Sequence, residues 1–84
     1  MAYHVYALYS DSLDIVYIGQ TRDLRQRLED HKRGYSRFTS RSNDWRLIYT
    51  EELKTRSAAM KRERQLKSYK GREHLRTYIL PKKD

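Results

Sequence analysis

VYIGQTRDLRQRLEDH, residues 16–31, passes from a β-strand pattern to a helical pattern within a few positions. Gly19 closes the strand part, where a glycine usually marks a tight backbone or the close approach of another group. Thr21 or Asp23 is suited to cap the helix, because either side chain can accept a hydrogen bond from a free backbone N–H. The stretch therefore predicts a strand that leads directly into a helix.

The helical part of this stretch places a cation beside its apolar stripe. Leu24 and Leu28 are four residues apart and lie on one side of a helix. Arg27 lies about 60° from Leu24 around the helix, and His31 lies almost in line with Leu24. A cation held next to the stripe and close to Gly19 favours an anion-binding site over an ordinary core.

Three segments of the chain have strand patterns. Residues 3–10 are rich in Tyr, Val and Leu, and residues 15–19 follow after a polar turn, so the two predict an antiparallel hairpin. Residues 45–51 alternate and predict a third strand, with Leu47 and Tyr49 on one face and Ile48 on the other.

Three segments have helical patterns, and the first ends near Gly34, a residue suited to a left-handed stop. Ser57 is expected to cap a second helix over residues 58–70, which Gly71 ends. A third helix is expected over residues 72–80, stopped by Pro81. The order β-β-α-β-α-α predicts an α+β fold in which helices flank a three-stranded antiparallel sheet, and residues 1–84 are expected to form a single domain.

The net charge of +8 and the pI near 9.9 favour a polyanionic partner. Nucleic acid is the first candidate and an acidic membrane surface the second, while a basic surface kept for solubility is the alternative. No apolar run approaches the length of a membrane span, and no helix opposes a broad apolar face to a basic one as a surface-bound helix does, so no membrane partner is expected. Because the chain has no cysteine, disulfides and thiolate metal sites are excluded, and a cytoplasmic location is expected.

A polar, basic loop is expected between the first helix and the third strand. It carries Arg37 and Arg41 together with Tyr35 and Phe38. Cations interleaved with aromatic rings suit a nucleic-acid backbone with occasional base stacking. Packing of Phe38 back onto the core is an equally weighted alternative.

Glu63 falls in the middle of the apolar stripe that Ala59, Met60 and Leu66 are expected to form on the second helix. A buried carboxylate is costly unless it is paired with a cation or ligates a metal. An ion pair with Arg27 or Lys67 is one explanation, and metal ligation is the other.

Tyr17-Ile18-Gly19, followed eight residues later by Arg27, resembles the second half of the signature of the GIY-YIG nuclease family. His4-Val5-Tyr6 resembles the first half and keeps its tyrosine eleven residues before Tyr17. Residues 59–67, with Glu63, resemble the family's glutamate-bearing helix. The resemblance covers residues 3 to about 79, and the chain is most similar to small standalone members, akin to the N-terminal nuclease domain of the excision-repair endonuclease.

The resemblance implies a catalytic set and a metal. Tyr6 would accept the proton of an attacking water, Tyr17 would hydrogen-bond at the site, Arg27 would bind the phosphate, and Glu63 would hold Mg²⁺ or Mn²⁺. A free tyrosine has a pKa near 10, so the metal and Arg27 are expected to lower the pKa of Tyr6. The expected nucleic-acid contacts are Gly19, His31, Arg37, Arg41 and Lys67. His31 is expected to act as a proton shuttle or a phosphate contact, with a purely structural helix histidine as the alternative.

Two departures from the family pattern stand out. His4 replaces the first glycine of the signature, and no asparagine follows Asn43, although many relatives carry one in their last motif. The first functional hypothesis is a metal-dependent endonuclease that acts on DNA, favoured over RNA, in a structure-selective or non-specific way. The alternatives are a nucleic-acid-binding module without turnover and a small adaptor for an acidic protein; protein partners are not specified by the sequence.

Overall fold

Three strands and three helices follow one another in the order β-β-α-β-α-α in the computed structural model, which describes residues 2–34 and 37–79. This order confirms the α+β prediction. The elements are β1 (Tyr3–Ser10), β2 (Ile15–Thr21), α1 (Leu24–Lys32), a 3₁₀ turn (Thr39–Arg41), β3 (Trp45–Leu53), α2 (Arg56–Lys67) and α3 (Tyr69–Arg76). None of the helices within the described ranges has the length and apolar character needed to span a membrane.

The strands form one antiparallel sheet in the order β2-β1-β3, so β1 is the central strand. The predicted β1–β2 hairpin is confirmed. Its register places Tyr6 opposite Gly19 and Leu8 opposite Tyr17. Residues opposite each other in an antiparallel pair share a face of the sheet, so Tyr6 and Tyr17 lie on the same face.

The two faces of the sheet have different roles. One face contributes Val5, Ala7 and Tyr9 to a core that α2 and α3 cover. The helix residues of that core are buried Ala59, Leu66, Leu75 and Ile79. The opposite face carries Tyr6, Leu8 and Tyr17 toward α1, which makes this face available for a site.

A β-bulge changes the predicted alternation of β3. Ala7 pairs with Tyr49 but the next residue, Leu8, pairs with Leu47, so Ile48 is the extra residue. Ile48 and Tyr49 both pack against the core, and Leu47 lies with Leu8 on the α1 face. The prediction that Leu47 and Tyr49 share a face is therefore wrong, because a bulge inserts one residue into the period of two.

The caps of the helices confirm one prediction and correct another. Asp23 caps α1, because its carboxylate accepts a hydrogen bond from the backbone N–H of Gln26 at 3.1 Å. For α2 the cap is Thr55 instead of Ser57, with its hydroxyl accepting from the backbone N–H of Ala58 at 3.1 Å. Either hydroxyl could cap in principle, and the helix that starts directly after Thr55 is longer and gains backbone hydrogen bonds.

Gly71 does not end α2, as the sequence predicted, but lies inside α3. The break between the helices is at Ser68, whose hydroxyl accepts from the backbone N–H of Gly71 at 3.2 Å and so caps α3. A Cβ on Gly71 would lie 2.5 Å from the Cα and the carbonyl oxygen of Leu66. Gly71 is therefore needed where α3 crosses closely over the end of α2. The expectation that the third helix continues to Leu80 is wrong, because α3 ends at Arg76 and the backbone N–H groups of residues 77–79 bond to carbonyls three residues back, as in tightened turns. Leu80, Pro81 and Tyr35 lie outside the described residues.

Candidate active site

Two tyrosines from neighbouring strands meet at the start of α1. Tyr6 is 1% exposed, and its ring centroid lies 6.3 Å from that of Tyr17. A Cβ on Gly19 would lie only 2.7 Å from the Tyr6 hydroxyl oxygen. Gly19 is thus required because the Tyr6 side chain lies directly over its backbone. Gly19 is itself buried beneath this ring, so the structure does not support its predicted contact with nucleic acid.

A chain of buried hydrogen bonds runs from Tyr6 into the protein. The Tyr6 hydroxyl lies 2.8 Å from His31 Nε2, and His31 Nδ1 lies 2.7 Å from the Thr39 hydroxyl. His31 is 4% exposed, and both of its ring nitrogens are occupied. The predicted phosphate contact by His31 is therefore not supported, whereas the arrangement suits the other predicted role, proton transfer.

The protonation states follow from burial and from Arg27. Burial raises the pKa of Tyr6 to about 12, although the neighbouring Arg27 opposes the change. Arg27 thus acts on the pKa of Tyr6 in the predicted direction but is outweighed by burial, and the expected contribution of a metal stays a prediction. Burial also lowers the pKa of His31, with the charge of Arg27 acting in the same direction and Asp30 in the opposite one. At neutral pH the site therefore contains a neutral tyrosine bonded to a neutral histidine.

This depressed histidine pKa predicts a loss of stability on mild acidification. Unfolded His31 regains its ordinary pKa of about 6.5 and binds a proton before the folded protein does, so protons favour the unfolded state. We expect the free energy of unfolding to fall as the pH falls from about 7 to about 5, and we expect His31→Gln to flatten this fall. Urea unfolding of both proteins at several pH values provides the measurement. His4 and His74 are present in both, so parallel curves would mean that His31 is not the group responsible.

Arg27 lies on α1 beside both tyrosine hydroxyls. Partial burial lowers the pKa of Arg27, but the Tyr6 and Tyr17 hydroxyls raise it more, so the guanidinium stays charged. Its side chain is 33% exposed and lies 3.9 Å from the carboxylate of Asp30, a loose ion pair. The predicted position of Arg27 at an anion site is consistent with this geometry, because a charged and accessible guanidinium borders the tyrosines.

Glu63 approaches the same site from α2. Its carboxylate lies 2.9 Å from Lys67 Nζ, and the two side chains are 21% and 50% exposed. Of the two predicted cation partners, the structure therefore selects Lys67. The charge of Glu63 also contributes to the raised pKa of Tyr6, which places both groups in one electrostatic environment. The predicted buried stripe is corrected at Met60, which is exposed and lines a groove with Glu63.

The donor set around Glu63 suits some metals and not others. Within residues 2–34 and 37–79 there is no group of three or more His, Cys, Asp or Glu side chains that could hold an ion. This argues against a zinc site, which needs three or four protein ligands. Mg²⁺ is commonly held by one or two carboxylates with waters and substrate phosphate, so Glu63 alone fits a magnesium site completed by substrate.

An aromatic group borders Tyr17 on the side of the 3₁₀ turn. Phe38 stacks on Tyr17 with ring centroids 5.4 Å apart and planes at 28°, and Arg41 lies 5.2 Å above the Phe38 ring. Trp45 contacts both rings and donates from its indole nitrogen to the Thr39 carbonyl at 2.7 Å. The predicted contact Arg37 is exposed on the same loop.

Thr39 and Trp45 are site residues that sequence reasoning did not identify. Thr39 is fully buried against His31, and Trp45 holds the backbone of Thr39. Neither residue is separated from the other site residues by an interval typical of a helix or a strand. The contacts arise only when the loop folds back over α1. A threonine followed directly by a run of Ser, Arg and Asn gives no local signal of this role.

Residues 2–78 match the family model of the GIY-YIG catalytic domain. The chain therefore belongs to the GIY-YIG family, as the resemblance of its tyrosine, arginine and glutamate motifs predicted. UPF0213 proteins from several Staphylococcus aureus strains, including Mu3 and N315, are 36% identical over 62 residues, covering 73% of this chain and 76% of the relative. The solution NMR structure of a UPF0213 protein from Bacillus halodurans is similar in fold. It shows a TM-score of 0.56 and 28% identity over 92% of this chain and 84% of that chain.

Proposed function

We propose that this protein is a metal-dependent endonuclease that hydrolyses phosphodiester bonds in DNA. The observation that carries the proposal is that Tyr6, Tyr17 and Arg27 contact one another and that the charge of Glu63 acts on Tyr6, although the four residues come from four different elements. A cluster of this kind combines a phosphate-binding cation, a carboxylate for a metal and a proton path. The family membership supports a nuclease, and the +8 charge supports a nucleic-acid partner.

In the proposed reaction Arg27 binds and orients the scissile phosphate. Its planar guanidinium fits two phosphate oxygens and stabilises the negative charge that grows on them in the transition state. The hydroxyl of Tyr17, beside Arg27, helps to hold the same phosphate. The loose ion pair with Asp30 costs little to break, so Arg27 is available to an incoming anion.

Tyr6 and His31 form the proposed proton path. A tyrosine with a pKa of about 12 is a poor base when it must ionise by itself. Tyr6 avoids that step by passing its hydroxyl proton to His31 Nε2 as it accepts a proton from the attacking water. Thr39 assists because its hydroxyl accepts a hydrogen bond from Nδ1–H, which leaves Nε2 free to accept the proton.

Glu63 is proposed to hold one Mg²⁺ or Mn²⁺. When bound, the ion would lower the pKa of a water and neutralise charge on the leaving oxygen. Lys67 pairs with this carboxylate in the structure and gives it a counter-charge. With a metal on Glu63, the half-exposed amine of Lys67 would be free to turn toward a neighbouring phosphate, which is the nucleic-acid contact proposed for it.

A cleavage assay tests the proposed function. Labelled duplex, flapped, branched and single-stranded DNA, with an RNA of the same sequence, are incubated with Mg²⁺, with Mn²⁺ and with EDTA. We expect internal cleavage of DNA that requires a divalent ion. Binding without cleavage of any substrate would instead support the non-catalytic module, and an absence of binding would support an adaptor for an acidic protein.

The lack of cysteine is compatible with the proposed cytoplasmic location.

We also expect nucleic-acid binding to weaken steeply with salt. Each phosphate that a cation neutralises releases counterions, so log affinity falls linearly with log salt at a slope of about −0.9 per phosphate on duplex DNA. Contacts from Arg27, Arg37, Arg41 and Lys67 therefore predict a slope of about −3 to −4. Fluorescence anisotropy in EDTA at several salt concentrations gives the slope without turnover. An affinity that does not change with salt would contradict the phosphate contacts.

A further inference from the structure

We infer that Phe38 and Arg41 form a subsite that stacks one unpaired nucleobase of the substrate next to the scissile phosphate. The inference rests on the proposed function, since it assigns a place to a part of the same substrate. We call Phe38 and Arg41, together with the Tyr17 ring beneath Phe38, the stacking platform. The platform begins at a catalytic tyrosine and ends at the protein surface.

Phe38 keeps part of its ring accessible at the edge of the site. Its side chain is 37% exposed and is not part of the hydrophobic core. Its contacts are with Tyr17, Trp45 and the guanidinium of Arg41. Tyr17 stacks on the ring and the exposed Arg41 guanidinium also lies over it, so a nucleobase can stack on this guanidinium or take its place on the ring.

Buried contacts hold the stacking platform in place. Phe38 immediately precedes the 3₁₀ turn of residues 39–41, whose first residue, Thr39, is fully buried. Thr39 is fixed by His31 through its hydroxyl and by Trp45 through its carbonyl, both at 2.7 Å. Because His31 is also bonded to Tyr6, the position of the platform is tied to that of the catalytic tyrosines.

The distance and the charge of the platform both suit a nucleotide. Phe38 lies one ring-to-ring contact from Tyr17, whose hydroxyl faces Arg27. A base attached to a nucleotide whose phosphate lies on Arg27 is therefore within reach of Phe38. Arg41 is exposed and positively charged, so it can stack on the base or contact the next phosphate. This complementarity favours a nucleotide over an apolar peptide side chain.

A consequence for substrate choice follows from the geometry. A base can cover Phe38 only after it leaves the stack of its own duplex. The cost of unpairing is absent when the nucleotide is already single-stranded. The stacking platform therefore predicts that the protein prefers DNA with an unpaired nucleotide at the cleavage site over fully paired DNA.

Binding in EDTA tests this inference separately from catalysis. The probes are a single-stranded oligothymidine, an oligomer of abasic residues of the same length, and a fully paired duplex. We expect the abasic oligomer to bind the unaltered protein about 5- to 100-fold more weakly than the oligothymidine, because base–aromatic stacking is lost. We expect Phe38→Leu to weaken oligothymidine binding by a similar factor and to leave duplex binding within about twofold.

Phe38→Tyr is the matched control, since it keeps the ring and should retain oligothymidine binding. Tyr69→Leu, at an exposed aromatic residue of α3, should change neither affinity. Equal binding of abasic and thymidine oligomers would overturn the inference, as would an equal loss of single-strand and duplex binding in Phe38→Leu. The abasic comparison needs no variant and stands even if Phe38→Leu does not fold. An absence of cleavage on all DNA would overturn the proposed function but not a stacking preference measured in EDTA.

Discussion

Arg27→Ala is expected to lower the rate of DNA cleavage by about 10²–10³-fold, the usual loss when one donor to a transition-state anion is removed. The guanidinium is charged, one-third exposed and placed beside both tyrosine hydroxyls, which makes it the cation of the tyrosine cluster. Its removal loses a loose ion pair with Asp30 and the contacts of the guanidinium with the two tyrosine hydroxyls, while Tyr6 keeps its hydrogen bond to His31, so we expect only a modest fall in the melting temperature. Single-turnover cleavage rates, with melting curves of the same samples, provide the measurement.

Arg27→Lys separates the shape of the group from its charge. Lysine keeps the positive charge but offers one ammonium in place of a planar fork, so we expect cleavage to remain at least about tenfold below the unaltered protein. Arg25→Lys, at an exposed position of the same helix, is the matched control and should cleave normally. Full activity in Arg27→Lys would show that Arg27 is only a general cation.

The parts of the fold that depend on local patterns could be predicted from the sequence. The β1–β2 hairpin follows from two strand patterns on either side of a short polar turn. Asp23 caps α1, and Gly34 with its φ of 79° follows the end of that helix, as their residue types indicate. Each of these features is decided by interactions within a few residues of one another.

The parts that depend on packing could not be predicted. The apolar run of Leu47, Ile48 and Tyr49 does not reveal the bulge at Ile48, because such a run also fits a regular strand that is buried on both faces. Glycine is a residue type typical of helix ends, but Gly71 instead lets α3 approach Leu66 closely. This role is visible only once the two helices are packed together. The choice of Thr55 over Ser57 as a cap has the same origin, since the two hydroxyls are locally equivalent.

The candidate site also has one part that could be predicted from local patterns and one part that depends on packing. The motif spacing pointed to Tyr6, Tyr17, Arg27 and Glu63, and these groups lie in one electrostatic environment. The layer behind them, formed by His31, Thr39 and Trp45, depends on a loop that folds over α1 and has no sequence period. Burial beneath this layer raises the pKa of Tyr6, and such desolvation cannot be judged before the packing is known.

The environment of Glu63 alters what its replacement should do to stability. The sequence placed Glu63 in a buried stripe, where removing one member of an ion pair strands a charge and costs about 3–5 kcal/mol. In the structure its partner Lys67 is half exposed, so water can solvate the amine after the carboxylate is lost. The expected cost therefore falls to the range of an exposed pair, about 0.2–1 kcal/mol.

Glu63→Gln is accordingly expected to abolish divalent-ion-dependent cleavage, by at least about 10³-fold, with little change in stability without metal. Glutamine keeps the size of the side chain but lacks the charge that holds Mg²⁺, while Arg27 and the stacking platform still bind DNA. Glu29→Gln is the matched control, because Glu29 pairs at the same i,i+4 spacing with Arg33, the residue that caps the end of α1. Cleavage rates, DNA affinity in EDTA and urea unfolding with and without Mg²⁺ provide the readouts. Retained cleavage would contradict the proposed mechanism. A loss of several kcal/mol in metal-free unfolding, absent from Glu29→Gln, would instead show that Glu63 is chiefly a structural partner of Lys67.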